Sequence, residues 1–130
     1  MSSAIKVEIS PGELIDKITI LEIKLDRIED AGKIRNIRIE LDTLSEARNT
    51  SVRSSPELEK LTAELKSVNE ALWEIEDDIR ACERNKDFGA VFIELARSVY
   101  MRNDDRSRFK RQINELLGSH LIEEKSYAAY

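Results

Sequence analysis

From Leu58 to Cys82, apolar residues recur at alternating steps of three and four: Leu58, Leu61, Leu65, Val68, Leu72, Ile75, Ile79 and Cys82. Helical geometry gathers those positions onto one face, so the run specifies an amphipathic helix whose seam other helices must cover. Ser55-Pro56 supplies its start, with the hydroxyl as cap and the proline at the first helical position, where a missing N–H costs nothing. Asn85-Lys86-Asp87 ends it. The polar loop over residues 49–55 is short, which favours an antiparallel intramolecular hairpin over a free parallel coil.

The remaining segments read in the same periodicity. Leu14, Ile18, Leu21, Leu25 and Ile28 step by four and three, while Ile15, Ile20 and Ile23 widen the apolar surface beyond one seam, as expected of a helix with more than one neighbour. Its start is marked by Ser10-Pro11-Gly12-Glu13, a capping box. The stripe loses phase at Asp30-Ala31-Gly32, a kink or a turn, and resumes as Ile34, Ile37, Leu41 and Leu44. Further helices carry Phe88, Val91, Phe92, Leu95, Ala96, Val99 and Tyr100, and then Phe109, Ile113, Leu116 and Leu117, with Asn103 or Asp104 as the later cap and Gly118 as a left-handed terminator. Upstream, Ile5, Val7 and Ile9 alternate with Lys6 and Glu8, the pattern of a half-buried strand. A lone strand must pair with another segment, either the tail or the same strand of a second subunit, and the latter points to a dimer.

The expected fold is all-α: a helical bundle with a long antiparallel coiled-coil-like hairpin and a short N-terminal β-strand. It forms one domain over residues 1–130, with the strand at 4–9 and helices over 11–30, 33–48, 56–85, 88–102 and 104–117, followed by a short turn of helix over 119–125. A chain of 130 residues can bury a core without metals or disulfides. Its two prolines and four glycines, with 36% charged residues, suit long helices. The lone cysteine, Cys82, lies on the apolar stripe and reads as a buried thiol. No stretch approaches the roughly 18 apolar residues of a membrane span, and the first residues lack the apolar run of a secretion signal, so a cytoplasmic protein is expected.

A formal net charge of -5 argues against a dedicated nucleic-acid binder. Charge is nonetheless segregated. Arg97, Arg102, Arg106, Arg108, Lys110 and Arg111 cluster late, and Glu70, Glu74, Glu76, Asp77, Asp78 and Glu83 crowd the long helix, so the two groups are expected to pair with each other, and Lys17, Lys24 and Arg27 of the first helix could pair with the same acids.

Two polar constellations stand out. The long helix carries a second stripe of Thr62, Lys66, Asn69, Trp73, Glu76 and Arg80. Trp73 could floor a pocket or partner surface, with Asn69, Glu76, Asp77 and Arg80 as polar groups; alternatively the stripe is a flank on which Glu76 pairs with Arg80 one turn away. Later, Asn103, Asp104, Arg106, Lys110 and Asn114 line one side of a helix. Arg and Lys one turn apart suit a carboxylate or phosphate, or equally an internal salt bridge. These ten residues are the candidate ligand-binding set, with no catalytic residue assigned.

No glycine-rich phosphate loop, zinc-type Cys/His spacing or G-x-S-x-G elbow is present, and His120 is the only histidine. Glu74 and Asp77 stand one turn apart but have no matching upstream pair of acids, so neither a metal nor a cofactor is predicted.

Several segments together carry a resemblance: Ser10-Pro11-Gly12-Glu13-Leu14, Asp16-Lys17-Ile18-Thr19-Ile20-Leu21, Asn69 through Arg80, Ile93 through Tyr100, Asn103-Asp104, Arg106, Lys110, Ile113-Asn114, Gly118-Ser119 and Glu124-Lys125-Ser126-Tyr127. Across nearly its whole length the chain resembles an uncharacterised bacterial family of small all-helical proteins. The resemblance implies no activity; it implies genes placed near glycosyltransferases and other surface-polysaccharide functions. The leading expectation is a homodimeric helical binding or scaffolding protein, with a protein partner, in surface-polysaccharide assembly. The alternative is a small enzyme or sensor for an anionic ligand such as a nucleotide or nucleotide sugar, acting through Trp73, Glu76, Arg80, Arg106 and Lys110.

Overall fold

Ser10 opens the first helix by accepting the Glu13 N–H on its hydroxyl at 3.2 Å, with Pro11 at the first helical position. The computed structural model describes residues 3–130 as four helices: α1 (Pro11–Arg27), α2 (Ala31–Ser51), α3 (Pro56–Arg84) and α4 (Ala90–Leu116). Each start and stop has a local cause. Asp30 caps α2 through the Lys33 N–H at 2.8 Å, so the loss of phase there is a true turn. Ser55 caps α3 through the Leu58 N–H at 3.1 Å. Gly118, at φ 66°, terminates α4 and lets the Ser119 N–H reach back to the Asn114 carbonyl at 2.9 Å.

The helix that organises the fold is α1, not the longer α3. The other three helices all pack against α1, and α3 packs in addition against α4. Accordingly α1 buries residues on several sides, among them Leu14, Ile15, Ile18, Leu21 and Ile23. The core forms where α1, α3 and α4 converge: Ile15, Leu58, Leu65 and Ile113 are fully buried, with Val52, Leu61, Phe109 and Leu117 packed around them. Each such fully buried side chain contributes on the order of 2 kcal/mol. The heptad seam of α3 splits in two. Leu58, Leu65 and Val68 are buried, but from Leu72 through Ile79 its apolar residues are only half-buried, and burial resumes at Cys82.

Three expectations are corrected. The strand over 4–9 does not form, and no strand occurs among the described residues; Ile5 is 86% exposed. Alternation alone cannot make a strand when only helices surround it, since their backbone groups are already used internally. The helices expected over 88–102 and 104–117 are one continuous α4. Asn103, Asp104 and Asp105 cost less than about 0.7 kcal/mol each inside a helix, and Asp105 pairs with both Arg102 (3.3 Å) and Arg108 (2.9 Å) on the same helix. Residues 119–125 form no helix; the Ser119 hydroxyl instead accepts the Leu121 N–H and donates to the Leu121 carbonyl.

Charge pairing departs from expectation in part: Arg27 of α1 meets an acid of the long helix as anticipated, but the late arginines do not. Among the described residues no ion pair joins α3 to α4. Glu74 binds Arg27 of α1 at 3.2 Å, whereas Arg97 binds Glu94 within its own helix at 3.3 Å and Arg111 binds Glu115 at 3.1 Å. Among the described residues no helix is long and apolar enough to cross a membrane.

Candidate functional site

Positions 12, 16 and 19 of α1 break an otherwise apolar surface with Gly12, Asp16 and Thr19, and all three are buried. Buried polar groups must find partners or lose about 1–3 kcal/mol each, and here α3 and α4 supply them. Arg106 of α4 makes a two-point bond with Asp16, Nε to Oδ1 at 3.0 Å and Nη2 to Oδ2 at 2.5 Å. Asn69 of α3 donates from Nδ2 to both Asp16 Oδ1 and Thr19 Oγ1, each at 2.9 Å, and the Thr19 hydroxyl donates to the Asp16 carbonyl at 2.8 Å. One turn earlier, Asn114 Oδ1 accepts the Gly12 N–H at 2.7 Å, satisfying an orphan donor of the helix start.

Gly12 is required there by proximity: a Cβ would lie 2.5 Å from the Lys110 carbonyl oxygen and 2.9 Å from Asn114 Oδ1. The glycine lets α4 approach closely enough for Lys110 to reach Glu13 at 2.7 Å. From Lys110 the ionic contacts continue outward through Glu123 at 3.4 Å and on to Lys125 at 3.5 Å.

The electrostatics follow from that geometry. Burial pushes the Asp16 carboxyl up, but the hydrogen bonds from Arg106 and Asn69 and the charges of Arg106 and Lys110 outweigh it and hold the group below the usual carboxylate range. The bond to Asp16 raises the Arg106 guanidinium further above its already high value, against burial. Glu13 resembles Asp16: burial raises it, and Lys110 and Lys17 bring it below its ordinary value.

Lys125 leads to an open groove of about 870 Å³ between α4 and residues 125–130. Val99, Tyr100, Asn103, Asp104 and Ser107 form one wall; Lys125, Tyr127, Ala128, Ala129 and Tyr130 form the other. The Tyr130 hydroxyl donates to Asp104 at 2.7 Å, and its ring meets Tyr100 with centroids 5.0 Å apart.

A model of a family of unknown function matches residues 5–130 of the chain. The chain belongs to this family, DUF6165. No curated protein and no solved structure matches this DUF6165 chain.

The ten sequence-predicted residues of the DUF6165 protein fall into three places. Asn69, Arg106, Lys110 and Asn114 converge on α1 and are bonded there. Asn103 and Asp104 line the groove. Trp73 is half-buried on α3, Glu76 and Arg80 form an exposed pair at 2.9 Å, and Asp77 is exposed; no hydrogen bond or ion pair among the described residues connects these four to Arg106 or Lys110. Gly12, Asp16 and Thr19 lie outside that set, although polar residues at helical spacing inside an apolar helix are a usable signal. Tyr130 lies outside it too, and nothing local marks that residue.

Proposed function

We propose that this protein is a helical binding and scaffolding protein that acts as a cytoplasmic homodimer and supports surface-polysaccharide assembly. The observation carrying this reading is the use of the chemistry-bearing residues. Arg106, Asn69, Lys110 and Asn114, which include the groups best suited to grip an anion, are already engaged with Asp16, Thr19, Glu13 and Gly12 of α1, fastening α1 to α3 and α4. An anionic substrate would have to displace Asp16, a buried carboxylate, from Arg106. A network that satisfies its own members favours a rigid framework, whereas α3 and α4 leave apolar and charged side chains on their surface for a partner. The link to surface polysaccharides rests on the family resemblance alone. Light scattering tests the central claim: a species of twice the 15.0 kDa chain mass at micromolar concentration supports it, and a strict monomer refutes the dimer.

A second reading, a ligand-responsive protein, is favoured by the groove, where Asn103 and Asp104 stand opposite Lys125. A thermal-shift screen with nucleotides and nucleotide sugars decides it, since a ligand at 100 times its Kd adds about 2.7 kcal/mol to stability. No shift with any of them removes this reading.

A further inference from the structure

Residues 5–9 read Ile-Lys-Val-Glu-Ile and lead into α1 with no helix, turn or bend. Among the described residues their backbone N–H and C=O groups make no hydrogen bond, and Ile5 is 86%, Val7 72% and Ile9 40% exposed. Lys6 has no ion pair among them, and Glu8 meets only His120, at 4.0 Å, which carries charge only when protonated. A segment without turns that alternates apolar side chains and leaves its backbone groups open is half of a β-ladder.

The order of those residues identifies the other half. Turned about a two-fold axis at Val7, the segment is its own complement: Ile5 opposes Ile9 of a second copy, Val7 opposes Val7 and Ile9 opposes Ile5, all on one side of the ribbon. On the other side Lys6 opposes Glu8 and Glu8 opposes Lys6, so both charge pairs are of opposite sign. A slip of one residue would set Ile5 against Glu8 or Lys6 against Ile9, and a slip of two, or a parallel pairing in register, would set Lys6 against Lys6 or Glu8 against Glu8. We propose that residues 5–9 join two copies of this chain as an antiparallel β-ribbon centred on Val7. The strand that a single chain cannot form is made by two. The ribbon gives the dimer of the reading above its contact and its register, and rests on that reading. It also leaves room for two whole bundles: at about 3.3 Å per residue the two Ser10 caps stand about 20 Å apart, so each α1 departs from its own end. Two strands alone are marginal in water. Beside Glu8, however, the bundle offers further apolar surface, since Leu116 and Ile122, on either side of His120 in sequence, are 43% and 36% exposed.

The test uses the full chain in sedimentation equilibrium, with circular dichroism to confirm helicity. Lys6→Glu and Glu8→Lys each alter an exposed side chain outside the helices, so helicity is retained. Each variant then opposes like charges at both places, and its dimer dissociation constant rises about tenfold or more. An equimolar mixture of the two restores opposite signs and dimerises as the wild type does. Under mild oxidation Val7→Cys links two chains through a disulfide, whereas Ser3→Cys, about 26 Å from its copy in this register, does not. Single variants as tight as the wild type, a mixture no tighter than its components, or a Ser3→Cys link as rapid as that of Val7→Cys places the contact elsewhere and overturns the inference while sparing the dimer. A wild-type chain that stays monomeric overturns both.

Discussion

Asp16 of α1 and Arg106 of α4, 90 residues apart in sequence, meet in a two-point ion pair whose carboxylate is 1% exposed and whose guanidinium is 31% exposed. The carboxylate is committed to the interior, so removing either member strands the other. Asp16→Ala is expected to cost about 3 kcal/mol in urea unfolding, the lower end for breaking a buried pair because Arg106 keeps some water. An apolar pair of similar volume, Asp16→Leu with Arg106→Met, should recover most of that loss. Additive losses in the double variant would mean that the two side chains do not depend on each other.

The same pair sets the acid limb of stability. Asp16 and Glu13 both titrate below their ordinary values in the folded protein, so the unfolded chain takes up their protons more readily. Their contribution is therefore complete above about pH 5 and disappears as pH falls through 4 toward the depressed folded values. Thermal melts from pH 7 to pH 2 should show a fall in Tm that begins near pH 5. In Asp16→Asn that fall should be shallower, from a lower starting Tm. An unchanged slope would assign the acid limb to other carboxylates.

Periodicity made the four helical regions legible, because each apolar stripe is a local record of what the helix must bury. It could not rank the helices. The α3 stripe is the longer and more regular, yet α1 is central, since widening a stripe with Ile15, Ile20 and Ile23 adds neighbours whereas lengthening one does not. The alternation of Ile5, Val7 and Ile9 misled because a strand depends on a partner that no window of sequence contains. Asn103 and Asp104 misled for the opposite reason: they are good caps locally, but packing and the Asp105 ion pairs carry α4 through them. At the candidate site, the α4 row of Arg106, Lys110 and Asn114 was visible, but its destination on α1 was not, because the partners lie about 90 to 100 residues away.

Gly12 offers a purely steric test of the α1–α4 contact. In Gly12→Ala the new methyl would press on the Lys110 carbonyl, which is backbone in mid-helix and cannot rotate away. The helices must part, stretching the Asn114 bond at 2.7 Å and the Lys110–Glu13 pair. A loss of about 1–3 kcal/mol is expected, as for overpacking elsewhere, although alanine is the better helix former. A stabilised Gly12→Ala would mean that α1 and α4 sit farther apart than described.

Tyr130 tests whether residues 125–130 are held as the outer wall of the groove. Its hydroxyl bond to Asp104 is exposed and its ring rests on Tyr100, so the contact organises the segment without anchoring the fold. Tyr130→Ala should change global stability by less than about 0.5 kcal/mol, as for surface substitutions generally. Hydrogen exchange over residues 125–130 should nevertheless accelerate markedly, while the α4 amides facing α1 keep their protection. The ionic run through Lys110, Glu123 and Lys125 supplies a second hold on the same segment, so Glu123→Ala added to Tyr130→Ala should speed exchange further. If exchange in the wild-type segment is already as fast as in an unstructured peptide, the groove has no fixed outer wall, and the ligand-responsive reading loses its structural basis.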